Sequence, residues 1–198
     1  MRVALREINK DVPFVENEHL LPLIGQERRD RILRLKNDRL KTMQLFSELT
    51  MLEEASKDLL IPVGFLRIKK TPLGKPYIEG YPEYYISVSH CDGMIMFASC
   101  TSPIGIDIEK RRENHEKISE RFFTANECEK IKNAHVPADE FLLVWTRKES
   151  FVKMTGEGLK TPLDSFDVYE KNSYVYKTDS VISKMTGESY IYSYVYRS

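Results

Sequence analysis

The chain has 198 residues, 41% of them hydrophobic, and its 30 basic and 30 acidic side chains cancel to a formal net charge of zero. That length supports one large domain or two small ones around a real core. The charge balance excludes a uniformly basic coat for nucleic acid or for an anionic membrane, leaving only local patches for either partner. No apolar run approaches the length that spans a bilayer, and the opening MRVALREINKD lacks the apolar stretch of a signal peptide, so the expected location is the cytoplasm. Cys91, Cys100 and Cys128 are odd in number and form no CxxC or metal-knuckle spacing; they read as ordinary reduced thiols.

Residues 1–8 alternate as an opening strand. The patterns over 26–35 and 38–56 predict two helices. Across them Arg28, Arg29, Arg31, Arg34, Lys36, Arg39 and Lys41 outnumber Glu27, Asp30 and Asp38. Such a run is either a solvated helix face or a local anion site, since arginine and lysine both bind phosphate. A strand is predicted over 64–69, followed by a Pro/Gly-punctuated turn over 71–83. Strands over 84–89 and 94–99, separated by Cys91-Asp92-Gly93, read as a hairpin.

Ser102-Pro103 breaks the chain and divides it into expected halves of 1–102 and 103–198. The second half starts with a strand over 104–109, then two short helices over 116–123 and 124–133. A longer helix over 138–155 has Pro137 at its start, Asp139 and Glu140 in its first turn and Gly156 as its stop. Segments 165–170, 173–177 and 189–196 read as strands, the last through the alternation SYIYSYVY. The predicted class is α+β, with two halves of similar layout and no residue-level repeat.

Two stretches carry candidate chemistry. In IGIDIE, Ile104, Ile106 and Ile108 point to one face of the strand, while Asp107 and Glu109 point to the other. An exposed alternating strand explains that pattern as well as a metal site does. In WTRKESFVK, Glu149 and Lys153 lie just over one helical turn apart, which fits a surface ion pair. If that helix closes over the strand, three carboxylates meet. All-oxygen ligands suit Mg²⁺ shared with substrate phosphates, with Lys153 facing a phosphate oxygen. The following GEGL lets backbone approach a ligand or simply ends the helix.

Glu127 sits in Thr124-Ala125-Asn126-Glu127, the S/T-x-x-E capping box, so a structural cap competes with a catalytic role. Ser89-His90-Cys91-Asp92 is a poor nucleophilic site, because strand neighbours face opposite ways. A hydroxyl and an imidazole at a strand end can instead hold phosphate.

Taken together, IGID at 104–107, Glu109 and WTRKESFVK at 145–153 resemble the 4′-phosphopantetheinyl transferases, as do GKPYI at 74–78, ISVSH at 86–90, RFF at 121–123 and GEGLKTPLDSF at 156–166. The order and spacing of these blocks, over roughly 26–168, carry the resemblance. The length is similar to the two-half, monomeric, surfactin-synthetase-activating type. The resemblance implies two α/β halves related by a pseudo-twofold axis, with the active site in the cleft between them. It implies transfer of phosphopantetheine from coenzyme A to a serine of an apo acyl or peptidyl carrier protein, releasing adenosine 3′,5′-bisphosphate.

By position, the resemblance makes Asp107, Glu109 and Glu149 the Mg²⁺ ligands and puts Lys153 on the pyrophosphate. It makes Lys75, Ser89 and His90 coenzyme A contacts, and sets Arg28, Arg31 and Lys41 in the basic region that meets the 3′-phosphate. Glu149 is the expected general base, with Glu127 as its competitor. Two other functions remain open at this point. One is a non-catalytic carrier-binding relative. The other is a Mg²⁺-dependent nuclease built on Asp107-Ile108-Glu109-Lys110, which the zero net charge disfavours.

Overall fold

A computed structural model of the protein describes residues 1–111, 116–170 and 173–197. The chain opens with β1 (Arg2–Glu7) and a 3₁₀ segment, Phe14–Leu23, then α1 (Gln26–Leu33) and α2 (Asp38–Leu59). The start of α2 is fixed by Asn37, whose side chain accepts from the Leu40 N–H and so satisfies one orphan donor of the first turn. Four strands follow: β2 (Ile68–Lys70), β3 (Pro76–Ile78), β4 (Tyr85–Cys91) and β5 (Met94–Cys100). With β1 they form an antiparallel sheet ordered β1-β5-β4-β3-β2. The β4–β5 hairpin turns on Asp92 and Gly93, both at positive φ, the geometry of a two-residue type I′ turn.

After Pro103 come β6 (Ile104–Lys110), α3 (Glu116–Phe122), α4 (Ala125–Asn133), α5 (Pro137–Thr155), β7 (Tyr174–Ile182) and β8 (Ser189–Arg197). Their three strands form a second sheet ordered β6-β8-β7. The fold is α+β with two sheets and packed helices. Among the described residues no helix is long and apolar enough to cross a membrane. None of the three cysteines is in a disulfide.

Alternation explains how the layers stack. In β5, Phe97 packs with Leu45, Leu49 and Leu52 of α2, while Met94, Met96 and Ala98 turn the other way and pack with Ile104, Ile106 and Ile108 of β6. The opposite face of β6 lies under α5. There Gly105 permits backbone contact: a Cβ on it would stand 1.8 Å from the Ser150 carbonyl oxygen and 2.5 Å from the Met154 nitrogen. The strand is therefore covered on both faces, and Asp107 is only 4% exposed. The solvent-exposed reading of IGIDIE is excluded.

Three expectations change. The strand over 64–69 is a 3₁₀ turn, Val63–Phe65, followed by the short β2. The turn over 71–83 contains β3, whose Pro76 and Tyr77 pair with Lys70 and Lys69. The segment 165–170 is not a strand despite its alternation. Asp167 instead accepts from Thr124 Oγ1 and Asn126 Nδ2 through Oδ2 and from the Tyr169 N–H through Oδ1, which bends the chain around α4.

Candidate active site

Side chains of β4 meet β6 in step. Ser87 Oγ accepts from the Ile106 N–H, Ser89 Oγ donates to Asp107 Oδ1 at 2.8 Å, and Cys91 Sγ lies 3.5 Å from Glu109 Oε2. α5, fixed on β6 by Gly105, adds Lys153, whose ammonium donates to Ser89 Oγ at 2.9 Å and Asp107 Oδ1 at 2.6 Å. Lys153 thus pairs across the fold with Asp107. Burial raises the Glu149 carboxyl above its ordinary range; Asp107 and Glu109 push the same way, and Lys153 opposes them. Asp107 and Glu109 are thus near enough to Glu149 to act on its charge.

These groups line a cleft of about 850 Å³, a volume suited to a cofactor-sized ligand. Gly156 and Gly158 of GEGL form part of its wall, as do Ser89, His90, Lys75 and Arg28. Arg28 Nε lies 3.1 Å from Glu48, and the Arg28 guanidinium also donates to Gln44 Oε1. That bond turns Gln44 Nε2 toward His90 Nε2 at 3.3 Å, where a neutral imidazole accepts. Burial, then Lys153 and Arg28, hold His90 below the ordinary histidine range. The cleft therefore carries fixed cations around a neutral imidazole, an arrangement for a polyanion.

Four other expected residues make contacts of their own. Lys41 does not line the cleft: its ammonium stands 3.1 Å from Asp38, one turn back, and 5.3 Å over the Phe14 ring. Arg31 is exposed and lines an adjoining groove that shares Arg28 and Lys70 with the cleft. Lys75 borders the cleft, but its ammonium donates to the backbone carbonyls of Ile104 and Met154. Glu127 is fully buried away from these groups, where its carboxylate completes the capping box with Thr124, accepts from the Val168 N–H and pairs with Lys148 at 2.8 Å.

Sequence reasoning missed Gln44, Lys70 and Arg121, all on the cleft wall. It also missed Lys148, a lysine with no exposed side-chain surface. A signal for Lys148 was present. Trp145, Lys148 and Val152 fall on one stripe at helical spacing, so Lys148 occupies an apolar face.

Among the described residues, no three His, Cys, Asp or Glu side chains form an enclosure that could hold a metal by themselves. One observation nevertheless suits a divalent cation. Asp107 Oδ2 is buried without a hydrogen-bond partner, beside two further carboxylates. An oxygen-only, incomplete donor set fits Mg²⁺, which typically takes one or two carboxylates and fills its remaining positions with water and substrate phosphate.

Comparison with known proteins gives a consistent picture. Residues 103–195 match the 4'-phosphopantetheinyl transferase superfamily. The chain is 32% identical over 155 residues to 4'-phosphopantetheinyl transferase Sfp of Bacillus subtilis (strain 168), covering 77% of this chain and 69% of that protein. It is 31% identical over 160 residues to the 4'-phosphopantetheinyl transferase gsp of Aneurinibacillus migulanus, covering 78% and 66% respectively. A mouse L-aminoadipate-semialdehyde dehydrogenase-phosphopantetheinyl transferase is 29% identical over 180 residues, 80% of this chain and 58% of the relative.

Proposed function

The chain belongs to the 4'-phosphopantetheinyl transferase superfamily, and from that membership we propose that the β4–β6–α5 cleft is where it transfers phosphopantetheine from coenzyme A to a carrier-protein serine. The observation that carries this placement is the Ser89–Asp107–Lys153 cluster beside the orphaned Asp107 Oδ2, inside a cleft walled by cations. Arg28, Lys153 and neutral His90 bind and orient the phosphates of coenzyme A, with Ser89 adding a hydroxyl. Asp107, together with Glu109 and Glu149, would hold Mg²⁺, which when bound supplies charge neutralisation at the pyrophosphate.

In the transfer, the carrier serine oxygen forms a bond to the pantetheine-bearing phosphorus. The pyrophosphate P–O bond breaks, and adenosine 3′,5′-bisphosphate leaves with its electron pair. Glu149, which lines the cleft beside Lys153, takes the serine proton as general base. Positioning and electrostatics supply most of the catalysis in such a transfer. Glu127 is assigned to the architecture, because both its oxygens are spent on Thr124, Val168 and Lys148.

We read residues 1–102 and 103–198 as the two halves, since all five strands of one sheet come from the first and all three of the other from the second. The nuclease reading loses its lysine: Lys110 lies on the opposite side of β6 from Asp107 and pairs with Asp92 and Glu188. The test is mass spectrometry of apo carrier domains incubated with the protein, coenzyme A and Mg²⁺. The expected result is a phosphopantetheine mass gain that is lost with a chelator and with Asp107→Asn. No gain on any carrier contradicts the reading.

A further inference from the structure

Lys75 borders the cleft, yet its ammonium points into the protein. It donates to the carbonyl of Ile104, the first residue of the strand that carries Asp107 and Glu109, and to the carbonyl of Met154, in the last turn of the helix that carries Glu149 and Lys153. The last carbonyls of a helix have no partner within it and sit at its negative end, so an ammonium there satisfies an orphan acceptor and complements the dipole.

The surroundings are built for this bond. The turn that presents Lys75 is tied to itself by Thr71 N–H to Lys75 O at 2.9 Å, by Gly74 N–H to Thr71 O at 2.8 Å, and by Lys75 N–H to Thr71 Oγ1 at 3.1 Å. Gly156 ends α5 at positive φ, and a Cβ on it would stand 3.1 Å from Lys75 Cδ. Gly105, at the same junction, brings its backbone against Ser150 and Met154. Burial accordingly pulls the Lys75 ammonium down to about 8.

We propose that Lys75 is a positioning residue: it bolts the end of α5 to the start of β6 from the other sheet's β2–β3 turn, and so acts on the reaction through Lys153 and Glu149. The proposal rests on the cleft being the reaction site, but its first two tests need no activity. Amide hydrogen exchange on the ligand-free protein compares wild type with Lys75→Met, which keeps the stem and removes the charge. The amides of Met154 to Gly156 exchange faster by ~tenfold or more in the variant, while the α2 core is unchanged. Reductive methylation of wild type removes any dependence on the variant's folding. Lys75 is shielded with and without coenzyme A, whereas exposed Lys70, on the same cleft wall, is methylated when free.

In steady state, Lys75→Met lowers kcat by ~10² with the coenzyme A KM near wild type, the loss expected when a reacting group is displaced by about 1 Å. Unchanged exchange at the end of α5, methylation of free Lys75 that coenzyme A blocks, or a raised KM at constant kcat each makes Lys75 a substrate ligand and overturns the proposal. Failure of the cleft reading looks different: wild type itself transfers nothing, while the exchange and methylation results stand.

Discussion

Two lysines of α5, five residues apart, each pair with a carboxylate, and their surroundings differ in every respect. Lys148 and Glu127 have no exposed side-chain surface. The Lys148 ammonium is fully used: it lies 2.8 Å from Glu127, donates to the carbonyls of Leu163 and Phe166, and rests 4.3 Å from the Phe166 ring centre. Glu127 is saturated as well. The side chains of Lys153 and Asp107 are 31% and 6% exposed, at the cleft wall, and Asp107 keeps a buried oxygen without a hydrogen-bond partner. The same two functional groups thus make a closed joint in one place and an incomplete site in the other. A satisfied buried pair holds elements together; an unsatisfied one beside further carboxylates invites a ligand.

The comparison breaks first at Lys148. Removing one partner of a buried pair strands the other charge, and Lys148→Met is expected to cost ~3–5 kcal/mol of stability. Urea unfolding followed through Trp145, the single tryptophan, reads this directly. Adding Glu127→Gln recovers part of the loss, because the stranded carboxylate goes too. Asp107→Asn should do the opposite: transfer falls by ~10²–10³, as for loss of one preorganised charged group, while the unfolding midpoint moves far less than in Lys148→Met.

Gly105→Ala joins both regions, because its methyl meets the backbone of α5. Overpacking of this kind costs ~1–3 kcal/mol, and transfer falls with it as Glu149 and Lys153 shift. The smallest effect sharpens the contrast most finely. Lys153 helps hold His90 below the ordinary range, after burial. In an NMR titration, Lys153→Met therefore moves His90 upward, and Lys148→Met leaves it unmoved. The sign for stability follows. Because folding lowers the His90 value, stability is lost as pH falls through the unfolded value of about 6.5 toward the folded one. That loss is smaller in Lys153→Met.

Much of this was legible in residue patterns. The alternation of IGIDIE placed the isoleucines on the core, and the turn spacing of Glu149 and Lys153 put both on the cleft side of α5. Gly105 carries no signal in its own strand, since its value lies in close contact with the α5 backbone at Ser150 and Met154. Lys148 falls on the Trp145–Val152 stripe, a helical spacing that marks it as core-facing despite its charge. The basic run of α1 and α2 fits a solvated helix face or a local anion site equally, and the structure divides it. Only Arg28 reaches the cleft, because Lys41 finds Asp38 and Phe14 locally. The short β3 was hidden by prolines and glycines, and 165–170 imitated a strand because Asp167 alternates with apolar neighbours while accepting from Thr124, Asn126 and the Tyr169 N–H.

The division between the two pairs is tested most directly by assaying Lys153→Met and Lys148→Met side by side, for mass gain on an apo carrier and for unfolding midpoint. The predicted result is that Lys153→Met unfolds close to wild type and fails to modify the carrier. Lys148→Met unfolds far earlier but still modifies the carrier at temperatures where it remains folded. A Lys153→Met protein that modifies the carrier at the wild-type rate would contradict the assignment of that cluster to the reaction.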